Sequence, residues 1–314
     1  MLAVMSEQAI PSTGASSLPI SIPCRDGVVL GGHLWLTSTH RPIGSVIINP
    51  ATGVLARYYH RYAQFLAGHG FDVLTYDYRG IGQSRPQRMR GSGYRWRDWG
   101  ERDFDAALLL MADHRRNGPL MVVGHSVGGF LPGLAESAPM IDRMLTVGAQ
   151  YAWWGDYMPR RRAALFLKWH VAMPAITAFC GYFPGRRLGW LEDLPKGVAN
   201  EWSFRGRRFE RSHPKAEREI ALHRMAAVKA PILAVAVSDD ELGTMPAIHR
   251  TLRYYTSAQR MSVLLKPADF GRDAIGHFGL FHDRHASGFW IDTLSWLREG
   301  RNPWPASASS VGSK

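Results

Sequence analysis

The feature that most restricts this chain is an apolar run, Leu120-Met-Val-Val123, that passes without a spacer into Gly124-His125-Ser126-Val127-Gly128 and then into a segment of helical character beginning at Val127. A chain that turns from strand to helix within one residue holds that residue in a strained conformation, and its two arms come so close that only small side chains fit between them. Gly124, Gly128 and Gly129 supply the room. The Ser126 hydroxyl then stands at the carboxyl edge of a sheet, where open α/β folds bind ligands, and the helix N-terminus behind it favours negative charge. A bare G-x-S-x-G pattern is weak evidence, since a glycine-rich turn with a capping serine reads the same way. Pro132 is a poor helix-interior residue, and a kink is expected there.

Context comes from the rest of the chain. The β-rich runs Ser45–Asn49, Phe71–Tyr76, Leu120–Val123 and Met144–Val147 alternate with segments, Tyr58–Ala67 and Asp103–His114, whose apolar residues recur every three to four positions. Such alternation predicts an α/β fold with a mainly parallel central sheet and helices on both faces. The alternation stops near Tyr151 and resumes with the strand-like runs Pro231–Val237 and Met261–Leu265 and the helical stretches Met245–Tyr255 and His285–Leu297. The core is therefore read as 20–150 and 226–301, interrupted by a helical cap insertion over 151–225. A flexible lead-in over 1–19 and a flexible tail over 302–314 are expected at the ends.

Charge is concentrated in the insertion. The chain carries 38 Lys+Arg against 26 Asp+Glu, a formal +12, and residues 151–225 hold 14 basic against 7 acidic residues, or +7 of that excess. No zinc-finger, basic-zipper or RNP-type motif accompanies the charge, so nucleic acid is not the expected partner. A solvated basic face is the preferred reading of Arg160 to Arg162, and membrane contact is not predicted. The first 17 residues lack a basic start and contain Glu7, unlike a secretory signal. The longest apolar stretch, Leu165–Phe183, is interrupted by Lys168, His170 and Pro174 and reads as a buried or interface-lying helix short of the ~20 mainly apolar residues of a span. Cys24 and Cys180 have no redox or zinc spacing and read as reduced thiols of a cytoplasmic protein. His282 and His285 lack a third ligand, and Gly80-Ile81-Gly82 fails the dinucleotide fingerprint because Arg85 fills the third glycine position.

A serine hydroxyl is a poor nucleophile without a base, and the base needs an orienting acid. Val237-Ser238-Asp239-Asp240-Glu241 ends a buried-type strand, and Gly276-His277-Phe278-Gly279 follows the last strand by a loop. Both sit at carboxyl ends of strands on the same side as Ser126.

Together, Asp77-Tyr78-Arg79-Gly80-Ile81-Gly82-Gln83-Ser84, Gly124-His125-Ser126-Val127-Gly128-Gly129, Ser238-Asp239-Asp240 and Ile275-Gly276-His277-Phe278-Gly279 resemble the α/β-hydrolase superfamily. The nearest branch is the esterase, monoacylglycerol-lipase and serine-aminopeptidase-like one, and the resemblance covers about residues 24–150 and 226–300. It implies Ser126 as nucleophile, His277 as base and Asp240 as acid, in the chain order usual for the fold. Asp240 is preferred to Asp239 because the family places its acid three residues beyond the strand-ending position, here Val237. Asp239 is then expected to turn away, towards a helix N-terminus or solvent. The resemblance also implies an oxyanion hole from two backbone N–H groups, that of Val127 and one after Asn49. The family's His-Gly is here Asn49-Pro50, and Pro50 has no N–H, so Ala51 is the expected second donor with Thr52 in reserve.

The expected activity is that of a serine hydrolase cleaving a carboxylic ester or related acyl bond through an acyl-enzyme, with no cofactor and no metal. Its partner is a small acyl substrate with an apolar portion, enclosed by the aromatic cap and its five tryptophans, Trp153, Trp154, Trp169, Trp190 and Trp202. Amide hydrolysis, acyl transfer and carbon–carbon cleavage use the same side chains, and a non-catalytic binding protein on the same fold is the rival from another class.

Overall fold

Short runs rich in β-branched residues form the centre of the molecule. The computed structural model describes residues 16–310 and contains β1 (Ser16–Pro23), β2 (Val29–Leu36), β3 (Gly44–Asn49), β4 (Phe71–Tyr76), β5 (Leu120–His125), β6 (Arg143–Val147), β7 (Tyr182–Phe183), β8 (Leu194–Pro195), β9 (Ile232–Val237), β10 (Arg260–Leu265) and β11 (Ala308–Ser310). One sheet runs in the order β1-β2-β4-β3-β5-β6-β9-β10-β11, and β7 pairs with β8. From β4 to β10 all neighbours are parallel, whereas β1–β2, β2–β4 and β10–β11 are antiparallel. Every residue of β3, β4, β5 and β9 is buried, as parallel strands covered on both faces require.

The helices are α1 (His60–Gly68), α2 (Asp105–His114), α3 (Val127–Phe130), α4 (Arg162–Phe166), α5 (Met173–Cys180), α6 (Gly185–Leu188), α7 (Lys196–Ser203), α8 (Arg218–Ala227), α9 (Met245–Leu252) and α10 (Ile291–Glu299). Strand side chains alternate between two apolar bodies. Val46, Ile48, Met121, Val123 and Leu233 join Tyr62 and Leu66 of α1 and Leu294 and Leu297 of α10. Ile47, Val122, Met144 and Ile232 join Leu108 and Met111 of α2, Phe130 of α3 and Ile248 of α9. Pro132 stops α3 after a single turn, and a 3₁₀ turn, Leu131–Leu134, replaces the longer kinked helix expected there.

Between β6 and β9 the chain builds α4 to α8 and the small β7–β8 ribbon. A continuous helical run, Pro159–Cys180, is 22 residues long and, by length and composition, apolar enough to cross a membrane, more than the sequence reading allowed. In this fold Leu165, Trp169, Met173 and Thr177, four residues apart, are buried, while Leu167, Val171 and Phe179 on other faces are exposed. The tryptophans do not form one wall. Trp169 stacks on Trp202 at 5.0 Å and meets Trp190 edge-on at 5.6 Å, so these three pack on one another within the inserted segment and continue the apolar body that covers one face of the sheet.

Both chain ends depart from expectation. Ser16 to Pro19 of the supposed lead-in pair antiparallel with Leu36 to His33, while residues 1–15 lie outside the described part. In the supposed tail, Trp304 stacks on Phe289 with centroids 5.5 Å apart and donates to Asp292 Oδ2 at 3.1 Å, which sets β11 against β10. A single anchoring indole outweighs the Pro/Ser-rich composition; residues 311–314 lie outside the described part.

The loop after β4 is held by charge. Arg79 donates from Nε to Asp103 Oδ1 at 2.6 Å and from Nη1 to Asp26 Oδ2 at 2.6 Å, and its backbone N–H donates to Asp103 Oδ2 at 2.8 Å. Both Arg79 and Asp103 are fully buried. Removing one partner of a buried pair strands the other, so Arg79→Met is expected to cost about 3–5 kcal/mol in urea unfolding. Adding Asp103→Asn should restore part of that loss. Strictly additive losses in the double variant would show that the two groups are not coupled.

Candidate active site

Register brings the carboxyl ends of three strands to one edge: Asn49 of β3 lies beside Gly124 of β5, and His125 beside Val147 of β6. At that edge Ser126 has φ 55° and ψ −124°, a conformation L-residues avoid, between β5 and α3. Its N–H donates to Val147 O at 2.8 Å and its carbonyl accepts from Gly129 N at 3.0 Å. A Cβ on Gly124 would strike the backbone of Gly128 and Gly129, and one on Gly128 would strike that of Asn49 and Pro50. Asn49 Nδ2 donates to Gly128 O at 3.2 Å and its Oδ1 accepts from Tyr76 at 2.9 Å, so this asparagine braces the turn.

His277 and Asp240 are brought together. His277 Nδ1 donates to Asp240 Oδ2 at 2.7 Å, and Asp240 Oδ1 accepts from the N–H groups of Leu242 and Gly243, each at 2.8 Å. Burial pushes the Asp240 carboxyl up, but the His277 ring and these two N–H groups outweigh it and hold the group below its ordinary value. Gly148, with φ +58°, faces this pair; a Cβ there would come within 3.0 Å of Asp240 Oδ2. Asp239 does not turn to solvent or a helix. Its Oδ2 accepts from Ile275 N at 2.9 Å and Gly276 N at 3.0 Å, which fastens the loop that carries His277.

Ser126 is buried, 4% exposed, and its Oγ accepts from Gln150 Nε2 at 3.4 Å. No hydrogen bond joins Ser126 Oγ to the His277 ring, and His277 Nε2 has no hydrogen-bond partner among the described residues. The Val127 N–H, at the first position of α3, is likewise without an acceptor among them. Ala51 requires correction. Its N–H is already committed, donating to Tyr59 Oη at 3.0 Å, whereas the N–H of the reserve residue Thr52 has no acceptor among the described residues.

Tyr59 leads to groups that sequence reasoning missed. His125 Nε2 lies 2.8 Å from the carbonyl of His277 and Nδ1 lies 2.7 Å from Tyr59 Oη. A carbonyl can only accept, so Nε2 carries the proton; a neutral ring then accepts at Nδ1, and Tyr59 donates. The result is a directed chain from Ala51 N–H through Tyr59 and His125 to the His277 carbonyl. Burial and the nearby His277 ring lower the His125 pKa to about 3, which keeps the ring neutral. His125 sat inside the G-x-S-x-G motif and was visible as such, but its role depends on Tyr59, which carried no sequence signal. Gln150, just beyond β6, was marked only by its place at the sheet edge.

A family model described as serine aminopeptidase, S33, matches residues 40–185. The chain is similar to the esterase domain of a Rhodothermus marinus protein (16% identity, TM-score 0.56, covering 90% of this chain and 98% of that one). It is also similar to a Pyrococcus furiosus esterase (16%, TM-score 0.55, 92% and 95%) and to the thioesterase domain from the curacin biosynthetic pathway (15%, TM-score 0.52, 88% and 99%). No curated protein matches the chain. Identities this low speak to the fold alone.

The buried, neutral His125 makes native stability depend on pH. Its native pKa lies below the ordinary 6.5, so the unfolded chain binds a proton that the native ring refuses. The contribution is fully present above pH 6.5 and is lost as pH falls from there towards about 3. Urea midpoints taken from about pH 7 down to about pH 4 should therefore fall less steeply for His125→Phe than for the parent protein. Equal slopes would mean that His125 titrates normally in the folded state.

Proposed function

We propose, because the chain belongs to the α/β-hydrolase superfamily, that it is a serine hydrolase cleaving a carboxylic ester or a closely related acyl bond through an acyl-enzyme. The observation that carries this reading is the His277–Asp240 hydrogen bond of 2.7 Å at the sheet edge where Ser126 occupies a strained strand-to-helix turn. Asp240 fixes the proton on Nδ1 and leaves the Nε2 lone pair of His277 to accept the Ser126 proton. Ser126 Oγ, which accepts from Gln150 Nε2, donates its own O–H to His277 Nε2 as substrate enters, since such contacts often tighten only in the complex.

Oγ attacks the carbonyl carbon, and the oxygen takes the negative charge where the Val127 N–H and the helix N-terminus favour it. The second donor is assigned to Thr52, whose N–H is unengaged, in place of Ala51. Collapse expels the alcohol, protonated by His277; water attacks the acyl-enzyme by the same route and regenerates Ser126. Esterase and thioesterase names among the similar structures and the aminopeptidase name of the family model share this acyl chemistry, and the preference for an ester rests on the esterase neighbours.

A fluorophosphonate should label the parent protein, and Ser126→Ala should abolish both labelling and short-chain ester hydrolysis. Labelling that survives Ser126→Ala would place the nucleophile elsewhere. The acid is tested by rate measurements on two neighbours. Asp240→Asn keeps the shape but favours the wrong imidazole tautomer, a change that lowers turnover ~10⁴-fold when made in the triad of a serine protease. Asp239→Asn still offers an oxygen to Ile275 and Gly276 and should lose less than about tenfold. The reverse order would move the acid to Asp239.

A further inference from the structure

Arg205 lies just past α7 and is 3% exposed. Its guanidinium carbon sits 3.3 Å from the centre of the Trp96 ring, yet none of Nε, Nη1 and Nη2 finds a hydrogen-bond acceptor among the described residues. The Trp96 indole N–H beside it is also unpartnered. A guanidinium carries five donors, and burying it without an anion is among the costliest arrangements a fold can hold. Burial lowers its pKa to about 9, which still leaves it charged at neutral pH. The nearby acid, Glu201, is engaged elsewhere: its carboxylate accepts from Arg97 N at 3.2 Å and from Arg97 Nη1 at 3.3 Å.

The guanidinium adjoins the nucleophile's own surroundings. The Trp96 ring is 5.6 Å from Phe130, the last residue of α3, and Phe130 is 5.1 Å from Tyr151. Tyr151 follows Gln150, the residue that donates to Ser126 Oγ. Tyr151 and Tyr157 are also close enough to Arg205 to act on its charge. The cation thus belongs to the inserted segment and is linked through two rings, Trp96 and Phe130, to the short helix that follows Ser126.

We infer that Arg205 receives an ionised carboxylate carried by the acyl portion of the substrate, so that the enzyme's preferred esters are monoesters of short dicarboxylic acids. The inference rests on the reading of Ser126 as nucleophile. Trp96 covers one face of the guanidinium, and the three nitrogens along its edge are buried without an acceptor among the described residues; a planar carboxylate would match that edge with two parallel hydrogen bonds. A single cation balances a single carboxylate, and the charge of Glu201 nearby disfavours a dianionic phosphate.

Two readouts test this. The first compares 4-nitrophenyl hemiglutarate with the neutral 4-nitrophenyl valerate. The parent should prefer the hemiglutarate in kcat/KM, and Arg205→Met should lower that preference about 100-fold or more, because one partner of a buried charge pair is gone. The second needs no turnover: monomethyl glutarate should raise the Tm of Ser126→Ala protein, methyl valerate should not, and Arg205→Met in the same background should abolish the effect. Removing an unpartnered buried charge should leave the ligand-free Tm equal or higher. If Arg205→Met does not fold, Arg205→Lys, which keeps the charge but loses the planar fork, should show the same loss of preference. Absence of turnover on both esters, with carboxylate-dependent stabilisation intact, would count against the hydrolase reading and leave the carboxylate site standing. No preference and no stabilisation in the parent, or both unchanged in the Arg205 variants, would overturn the inference.

Discussion

At Ser126 the backbone turns from β5 into α3 with φ 55°, and this strained crossing can exist only because the neighbouring backbones are allowed to touch. Gly124 meets Gly128 and Gly129, and Gly128 meets the backbone after β3. Strain of this kind costs of the order of 1–3 kcal/mol and persists only where the surroundings over-determine it. Here they do. The Ser126 N–H is tied to β6, the Asn49 side chain ties the turn to β3, and parallel pairing on both sides of β5 fixes the height at which the serine emerges. Any relaxation that relieved φ would have to break the contacts of three strands.

The same edge positions His277 through the backbone and not only through Asp240. The His277 loop is held by Asp239 at Ile275 and Gly276, by His125 at the His277 carbonyl and by Tyr58 at the Phe278 carbonyl at 2.9 Å. Because His125 belongs to the strained turn and Tyr59 also receives the Ala51 N–H, the serine turn, the loop after β3 and the histidine loop share one directed hydrogen-bond chain. Displacement of any one loop is felt by the other two. A neutral His125 suits this role: one nitrogen must donate and the other accept, and a charged ring would leave Tyr59 facing a second donor.

The parts of this design that a linear reading can reach are those with a period or a motif. Continuous apolar runs marked β3 to β6 and β9, because strands buried on both faces need nothing else, and also the partly exposed β10, while Ser126, His277 and the Asp239–Asp240 cluster stood out by their places at strand ends. Alternating burial in β2, with polar His33 and glycines among its residues, hid an antiparallel strand that lies between β1 and β4. Asp239 and Asp240 could be told to face different ways, but not that Asp239 would find two amides of a loop 36 residues later. The Ala51 assignment failed for a similar reason, since its N–H is taken by a tyrosine whose approach depends on how α1 packs on the sheet.

Two buried arginines show where composition stops being informative. Arg79 and Arg205 are 1% and 3% exposed, and in the sequence both are arginines set among aromatic residues and glycines. Arg79 meets Asp26 and Asp103 with charge-assisted bonds, so its burial organises a loop at little net cost. Arg205 has a ring beneath it and no hydrogen-bond acceptor among the described residues, and a cation over an aromatic face recovers only about 2 kcal/mol when desolvated, well short of what taking the charge out of water costs. A fold stable enough to bear that deficit has no packing reason to keep it, because an apolar side chain of similar length would fill the same space more favourably. The deficit is recovered only when an anion arrives, and it is the size of the deficit that makes such a residue discriminate between charged and neutral ligands.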